Sequence, residues 1–208
     1  MVNMITTNAE FYFEQDINGD EILKHLEKVA RICYKSENKI SDATAKEFVK
    51  RLITSEHETM IEHYSITVRI VCDRGVSHEI VRHRIASYAQ ESTVNCNYSK
   101  EKFRNSITVI KPIFWEDGSE CMRVWETAMC EAEKAYMKLI ELGAEPKHAR
   151  SVLPNSLKTE LLVTMNLRGW RNFFKQRTSE SNHPQMLELT IPLLAAFKEK
   201  IPVVFDDL

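Results

Sequence analysis

Apolar positions recur along this chain mostly at helical spacing, interrupted by short stretches in which apolar and polar residues alternate one by one. Ile22, Leu26, Val29 and Cys33 follow the helical period behind Asn18 or Asp20, either of which can cap a helix. A second amphipathic helix is expected from Asp42, with Ala45, Phe48, Val49 and Leu52 on its apolar face. Residues 66–73 set Ile66, Val68, Ile70 and Cys72 against Thr67, Arg69, Val71 and Asp73, the pattern of a half-buried strand ending near Gly75. Residues 76–84 are read as a helical continuation, and 106–110 as another strand. The longest helix is expected from about Glu120 to Leu142, carrying Met122, Trp125, Met129, Ala132, Tyr136 and Leu139 until Gly143 stops it. Residues 157–165 alternate again as a strand. Asn166-Leu167-Arg168-Gly169 then turns into a short helix with Trp170, Phe173 and Phe174 that ends in Lys175-Gln176-Arg177. The last helix begins near Pro184 and carries Met186, Leu189, Leu193 and Phe197 past Pro192. Helices and strands mixed without a βαβ rhythm predict an α+β fold.

The 208 residues, 43% of them apolar, suffice for a sizeable core, and no repeat or Gly/Ser-rich linker divides them, so one domain over 1–208 is expected. A net charge of −2 gives no global attraction to nucleic acid or to an anionic membrane, so any anion site must be local. Five cysteines, odd in number and without a C-x-x-C pair, favour reduced thiols in a cytosolic compartment. The first residues lack a basic n-region followed by an apolar h-region, and no apolar run has the length of a membrane span. A cytoplasmic protein without membrane or nucleic-acid partners is expected.

Candidate chemistry concentrates at Arg82-His83-Arg84, followed after seven intervening residues by Ser92, with Ser87 and Thr93 adding hydroxyls. Cations and hydroxyls at that density suit an anionic ligand; the plainer alternative is that basic residues in a last helical turn complement its dipole. On a continuing helix, side chains fan out by about 100° per residue, so Arg82 and Arg84 would serve different ligands or different subunits. Arg150, Asn166, Arg168, Asn172 and Arg177 supply further forks and amides suited to phosphate or a planar imide. His57 and His63 stand six apart, too far round a helix to share a zinc ion, so no metal is expected. Cys96 and Ser92 lie near His83 in sequence, but nothing in the spacing makes either a nucleophile.

These residues give the chain a close resemblance to the flavin-dependent thymidylate synthases, the family unrelated to the cysteine-dependent enzymes. The resemblance rests on RHR with seven residues before Ser92, on HETMIEH at 57–63 and HEIVRHRIASY at 78–88. It extends through ARSVLP at 149–154, NLRGWRNFFKQR at 166–177 and HPQM at 183–186, in order over most of the chain. It implies the thymidylate synthase-complementing protein fold, an antiparallel sheet flanked by helices. It further implies a homotetramer whose active sites are shared between subunits. The implied reaction is reductive methylation of dUMP to dTMP, with methylenetetrahydrofolate as carbon donor, FAD as hydride carrier and NADPH as reductant.

Motif by motif, the resemblance implies FAD contacts at Thr59, Arg82, His83, Arg84, Ile85, Gln90, Asn166, Leu167, Arg168 and Asn172. It implies that Glu79, Arg82, Gln90, Glu91, Ser92, Thr93, Val94, Arg150 and Arg177 surround dUMP, with Arg177 the catalytic cation, and that His183 and Gln185 are further flavin or folate contacts. One position departs from the pattern: relatives usually follow the motif serine and its neighbour with arginine and tyrosine, whereas this chain has Val94-Asn95. Losing a charge-assisted contact there is worth on the order of 1.5–3 kcal/mol of substrate binding. Two alternatives therefore accompany the expected reaction: alkylation of UMP or a modified dUMP, and a catalytically silent flavin or nucleotide binder.

Overall fold

Asn18 accepts the Glu21 backbone N–H at 3.2 Å and so opens the first helix where the hydrophobic period begins. In the computed structural model, which describes residues 4–208, the elements run in the order β1 (Ile5–Thr7), β2 (Glu10–Phe13), α1 (Gly19–Cys33), α2 (Ala45–Thr54), β3 (Ser65–Asp73), α3 (Arg74–Ile80) and β4 (Ser87–Gln90). They continue with β5 (Thr108–Ile110), α4 (Glu120–Glu141), α5 (Pro146–Ala149), β6 (Lys158–Asn166), α6 (Leu167–Arg177), α7 (Pro184–Lys200) and α8 (Pro202–Phe205). Asp73, Ser119, Asn166 and His183 each accept a first-turn N–H and thereby start α3, α4, α6 and α7. The fold is α+β: an antiparallel sheet of order β2-β3-β6-β4, with helices, and a separate two-stranded parallel pair, β1 and β5, in register Ile5 with Thr108.

Several boundaries differ from the sequence reading, each for a local reason. α1 buries Ile22, Leu23, Leu26 and Ala30 but leaves Cys33 exposed, and it also buries Glu27 and Arg31 because they pair with each other at 2.7 Å. α2 starts at Ala45 rather than Asp42, with Thr44 before it donating to Glu27 Oε2 at 2.9 Å. β3 keeps its alternation through Ile70 and then loses it, since Val71, Cys72 and Asp73 are all buried. The helix expected over 76–84 ends at Ile80, and Arg82-His83-Arg84 lies in the following turn, which Ile85 closes at φ 64°. Helical fanning therefore does not set the aims of Arg82 and Arg84. β1, β2 and β4 carry too few alternating positions to be read from the sequence.

The chain forms two compact units. The first comprises residues 4–10, 70–82 and 89–161; its core gathers Tyr98, Ile107, Val109, Met122, Trp125, Met129 and Tyr136. Within it, Trp125 Nε1 donates to Ser156 Oγ at 3.1 Å, and the buried Glu133 accepts from Ser106 Oγ at 2.5 Å and from the Ile107 N–H at 3.0 Å. The second comprises residues 11–69, 83–88 and 162–208 and is centred on an aromatic cluster of Trp170, Phe173, Phe174, Phe197 and Phe205. Trp170 Nε1 donates to the Ile66 carbonyl at 3.0 Å, so even the indole nitrogen is satisfied. At the start of α1 a Cβ on Gly19 would stand 2.2 Å from the Lys200 carbonyl oxygen, so only glycine lets these backbones approach.

Candidate functional site

In the second unit, α6 places Arg168, Asn172 and Lys175 at i, i+4 and i+7, on one face, while Trp170, Phe173 and Phe174 turn into the core. That polar face, with Asn166, Gly169, Arg84 and Ile85, lines a cleft of about 350 Å³. The opposite wall carries Glu58 and Glu62 from the 3-10 turn Glu58–His63. Arg168 donates to Glu62 at 2.6 Å and lies 3.6 Å from Glu58, whereas Arg84 has no ion pair among the described residues. Ile85 is 87% exposed and left-handed, a costly backbone state for a β-branched residue, and it offers an apolar surface at the rim. Three guanidiniums, two of them paired with Glu58 and Glu62, an ammonium, two amides and an apolar edge suit a ligand that has both phosphate and a flat ring.

The expected FAD set is thus brought together in part. Arg84, Ile85, Asn166, Arg168 and Asn172 share the cleft; Thr59 lies in the 3-10 turn that also supplies Glu58 and Glu62. Leu167 is fully buried with its N–H on the Tyr64 carbonyl. His83 is buried, its ring edge-on to Phe173 and its carbonyl accepting from Tyr88 Oη at 2.6 Å. Its Nε2 accepts from Arg177 Nε at 2.9 Å, which requires the neutral imidazole. Burial, and then the Arg177 charge, hold its pKa below the usual histidine range. Arg177 also donates to Asn182 Oδ1 at 3.4 Å. His183 caps α7 by accepting the Gln185 N–H at 3.3 Å, and Gln185 is buried.

Of the residues expected around dUMP, Gln90 to Val94 form a pinned turn in the first unit, whereas Arg177 lies in the second. Gln90 donates to Ser77 Oγ at 2.9 Å and to Thr159 Oγ1 at 3.2 Å. Glu91 accepts from Tyr98 Oη at 3.0 Å and pairs with Lys158 at 3.4 Å. The Ser92 carbonyl accepts the Asn95 and Cys96 N–H groups, and Ser92 Oγ accepts the Val94 N–H at 3.3 Å. Arg150 donates to the buried Thr93 Oγ1 at 3.4 Å. Arg82 is exposed just past α3, where Glu79 is half-buried. Val94 is 40% exposed. Burial and the neighbouring Glu91 push the Cys96 thiol up, the opposite of nucleophile activation.

Sequence reasoning missed Lys175, although its helical spacing from Arg168 and Asn172 was there to be read, and it missed Glu58 and Glu62 as counterions. It also missed Arg171, whose burial against Glu58 and Asp207 has no local signal. Among the described residues no three His, Cys, Asp or Glu side chains gather as a metal site; His57 Nδ1 instead meets Tyr34 Oη at 3.4 Å. Among the described residues no helix is long and apolar enough to cross a membrane.

In this α+β protein a cleft of the second unit and a hydroxyl turn of the first both present guanidinium and amide groups, which suit phosphorylated, ring-bearing ligands. A sequence model described as "Thymidylate synthase complementing protein" matches residues 18–203. The chain is 32% identical over 185 residues to the flavin-dependent thymidylate synthase of Geobacter sulfurreducens, covering 86% of this chain and 78% of that one. It is 30% identical over 215 residues to the flavin-dependent thymidylate synthase of Corynebacterium aurimucosum, covering 94% and 83%. The crystal structure of the UMP/dUMP methylase PolB from Streptomyces cacaoi, bound with 5-Br UMP, matches the fold with a TM-score of 0.77 at 18% identity, covering 98% of this chain and 95% of that one. The chain belongs to the thymidylate synthase complementing protein family, a family of methyltransferase enzymes.

Proposed function

We propose that this protein is a flavin-dependent thymidylate synthase that converts dUMP to dTMP, with methylenetetrahydrofolate as carbon donor and NADPH as reductant. The observation that carries the reading is that, in a chain of this family, Arg84, Ile85, Asn166, Arg168 and Asn172 line a single cleft. Those residues fit FAD: the guanidiniums suit its phosphates, and the amides and Ile85 suit its polar and flat ring portions. When bound there, FAD supplies the hydride carrier. Within the first unit, Arg150, Thr93 and Ser92 bind the phosphate of dUMP, and the pinned turn orients the nucleotide. Arg177 is the catalytic cation: its charge beside the uracil imide favours ionisation at N3 and enriches C5 as a nucleophile, and the neutral His83 fixes the plane of its guanidinium.

The assembly we propose is a homotetramer in which further copies contribute to each site. The five free cysteines suit a cytoplasmic enzyme. The test is tritium release from C5-labelled dUMP, with labelled UMP in parallel, in protein supplied with FAD, NADPH and methylenetetrahydrofolate. Release from dUMP with dTMP formed is the expected result. Release from UMP alone would make the uncharged Val94 a determinant of substrate choice, and release from neither, in protein that holds flavin, would leave a nucleotide binder. Arg177→Ala is expected to abolish release while flavin stays bound; near-normal release would remove Arg177 from the catalytic role.

A further inference from the structure

Lys158, the first residue of β6, belongs to none of the sets above, yet it sits directly behind the substrate turn. Its ammonium lies 2.5 Å from Glu160 Oε1 and 3.4 Å from Glu91 Oε2, and its side chain is 21% exposed. The backbone brings those two carboxylates together, because the Glu91 N–H donates to the Glu160 carbonyl at 2.8 Å. The other Glu91 oxygen accepts from Tyr98 Oη at 3.0 Å. Tyr98 is itself immobilised: 4% exposed, edge-on to Tyr136 and Phe103, with its own N–H donated to Tyr136 Oη at 3.3 Å. Both oxygens of Glu91 are therefore engaged within the unit.

We propose that Lys158 is a positioning residue for the nucleotide, acting through Glu91 as a strut that holds the Ser92–Val94 turn in its binding shape. The inference rests on the reading of that turn as the dUMP site. Removing the ammonium leaves Glu91 and Glu160 facing each other without a counterion, and like charges in a half-buried setting separate. Glu160, 44% exposed, can turn its carboxylate to water, whereas the 16%-exposed Glu91 carboxylate reaches water only if the backbone just past the four-residue β4 shifts. Moving Glu91 carries with it Ser92, whose carbonyl and hydroxyl organise the turn. The strut matters more in this chain because position 94 is a valine, so the nucleotide depends on the turn's shape and on Arg150 rather than on a second guanidinium. Burial opposes the Lys158 charge, but the two carboxylates outweigh it and raise its pKa, so the strut persists across the working range of pH.

The experiment compares wild type, Lys158→Met and Lys158→Arg as full-length protein loaded with FAD, by amide hydrogen exchange, dUMP binding and steady-state kinetics. In Lys158→Met, exchange at residues 92–96 should quicken and KM for dUMP should rise about tenfold, the weight of one charge-assisted contact, with kcat at saturation and the flavin spectrum unchanged. Lys158→Arg should restore both exchange and KM, which general destabilisation would not predict. Unchanged exchange at 92–96, or a fall in kcat at unchanged KM, overturns the strut. If wild type binds no dUMP while exchange still responds to Lys158→Met and recovers in Lys158→Arg, the substrate reading fails and the strut stands as a device of the fold.

Discussion

Arg171 offers a sharp test of how the wall of the cleft is held. Its side chain is 3% exposed; it donates to Glu58 at 3.0 Å, to both oxygens of Asp207 at 2.6 and 2.7 Å, and to the Val204 carbonyl. Burial opposes the charge, but Asp207 and Glu58 outweigh it and raise the guanidinium pKa, while the same contact holds Asp207 below the usual carboxylate range. Breaking a buried ion pair by removing one partner costs about 3–5 kcal/mol. Asp207 is 53% exposed and Glu58 20%, so both can rehydrate, which reduces the expected loss in Arg171→Ala to about 2–3 kcal/mol. For a chain of this size that is a fall in Tm of about 5–10 °C. The pH signature is equally definite. A carboxylate whose folded pKa is depressed contributes stability that is present above its unfolded pKa and lost as pH falls through the folded one. Arg171→Ala should therefore be least damaging at strongly acidic pH, where wild type has already lost the Asp207 contribution. Thermal unfolding of both proteins from pH 7 down to pH 3 is the assay. A Tm loss under about 2 °C at pH 7, or a difference independent of pH, would refute the argument. Because Glu58 also faces Arg168, flavin retention should weaken together with stability.

Two further outcomes follow from the same geometry. Val94→Arg is expected to tighten dUMP by about tenfold, the worth of one added charge-assisted contact on a 40%-exposed position of the turn; calorimetric titration showing equal or weaker binding would mean that the turn has been rebuilt around valine. His83 has its folded pKa below the ordinary 6.5, so the unfolded chain takes up its proton first. Its contribution to stability is complete above pH 6.5 and declines as pH falls towards the folded value. Protonation would also oppose two cations at the 2.9 Å contact with Arg177, so turnover should hold below pH 6.5 and fall only where the folded His83 itself takes up a proton. A turnover profile whose acid limb is centred at or above pH 6.5 would contradict a neutral His83 as the partner of Arg177.

The hydrophobic pattern by itself determined where the longer elements lie. α1, α4, α6 and α7 begin at or within two residues of their expected starts because cap, period and stop signal are all local to each segment. It also placed the two long strands, since alternation through Ile70 in β3 and over all nine residues of β6 is a signal no helix reproduces. The chemically dense stretches were legible too, because arginine, asparagine and hydroxyl residues declare their chemistry by type. Tertiary structure alone decided the rest. The short strands β1, β2 and β4 exist through their neighbours, and three or four residues carry too little periodicity to announce a partner. The turn at Arg82-His83-Arg84 is fixed by where α3 ends and by the left-handed Ile85, not by any apolar period. The pairings Arg171 with Asp207, Arg168 with Glu62 and Arg177 with His83 span 36, 106 and 94 residues of chain. A sequence shows which charges exist; which of them meet depends on packing that buries an aromatic core and leaves each charge only the partners that the fold brings within reach.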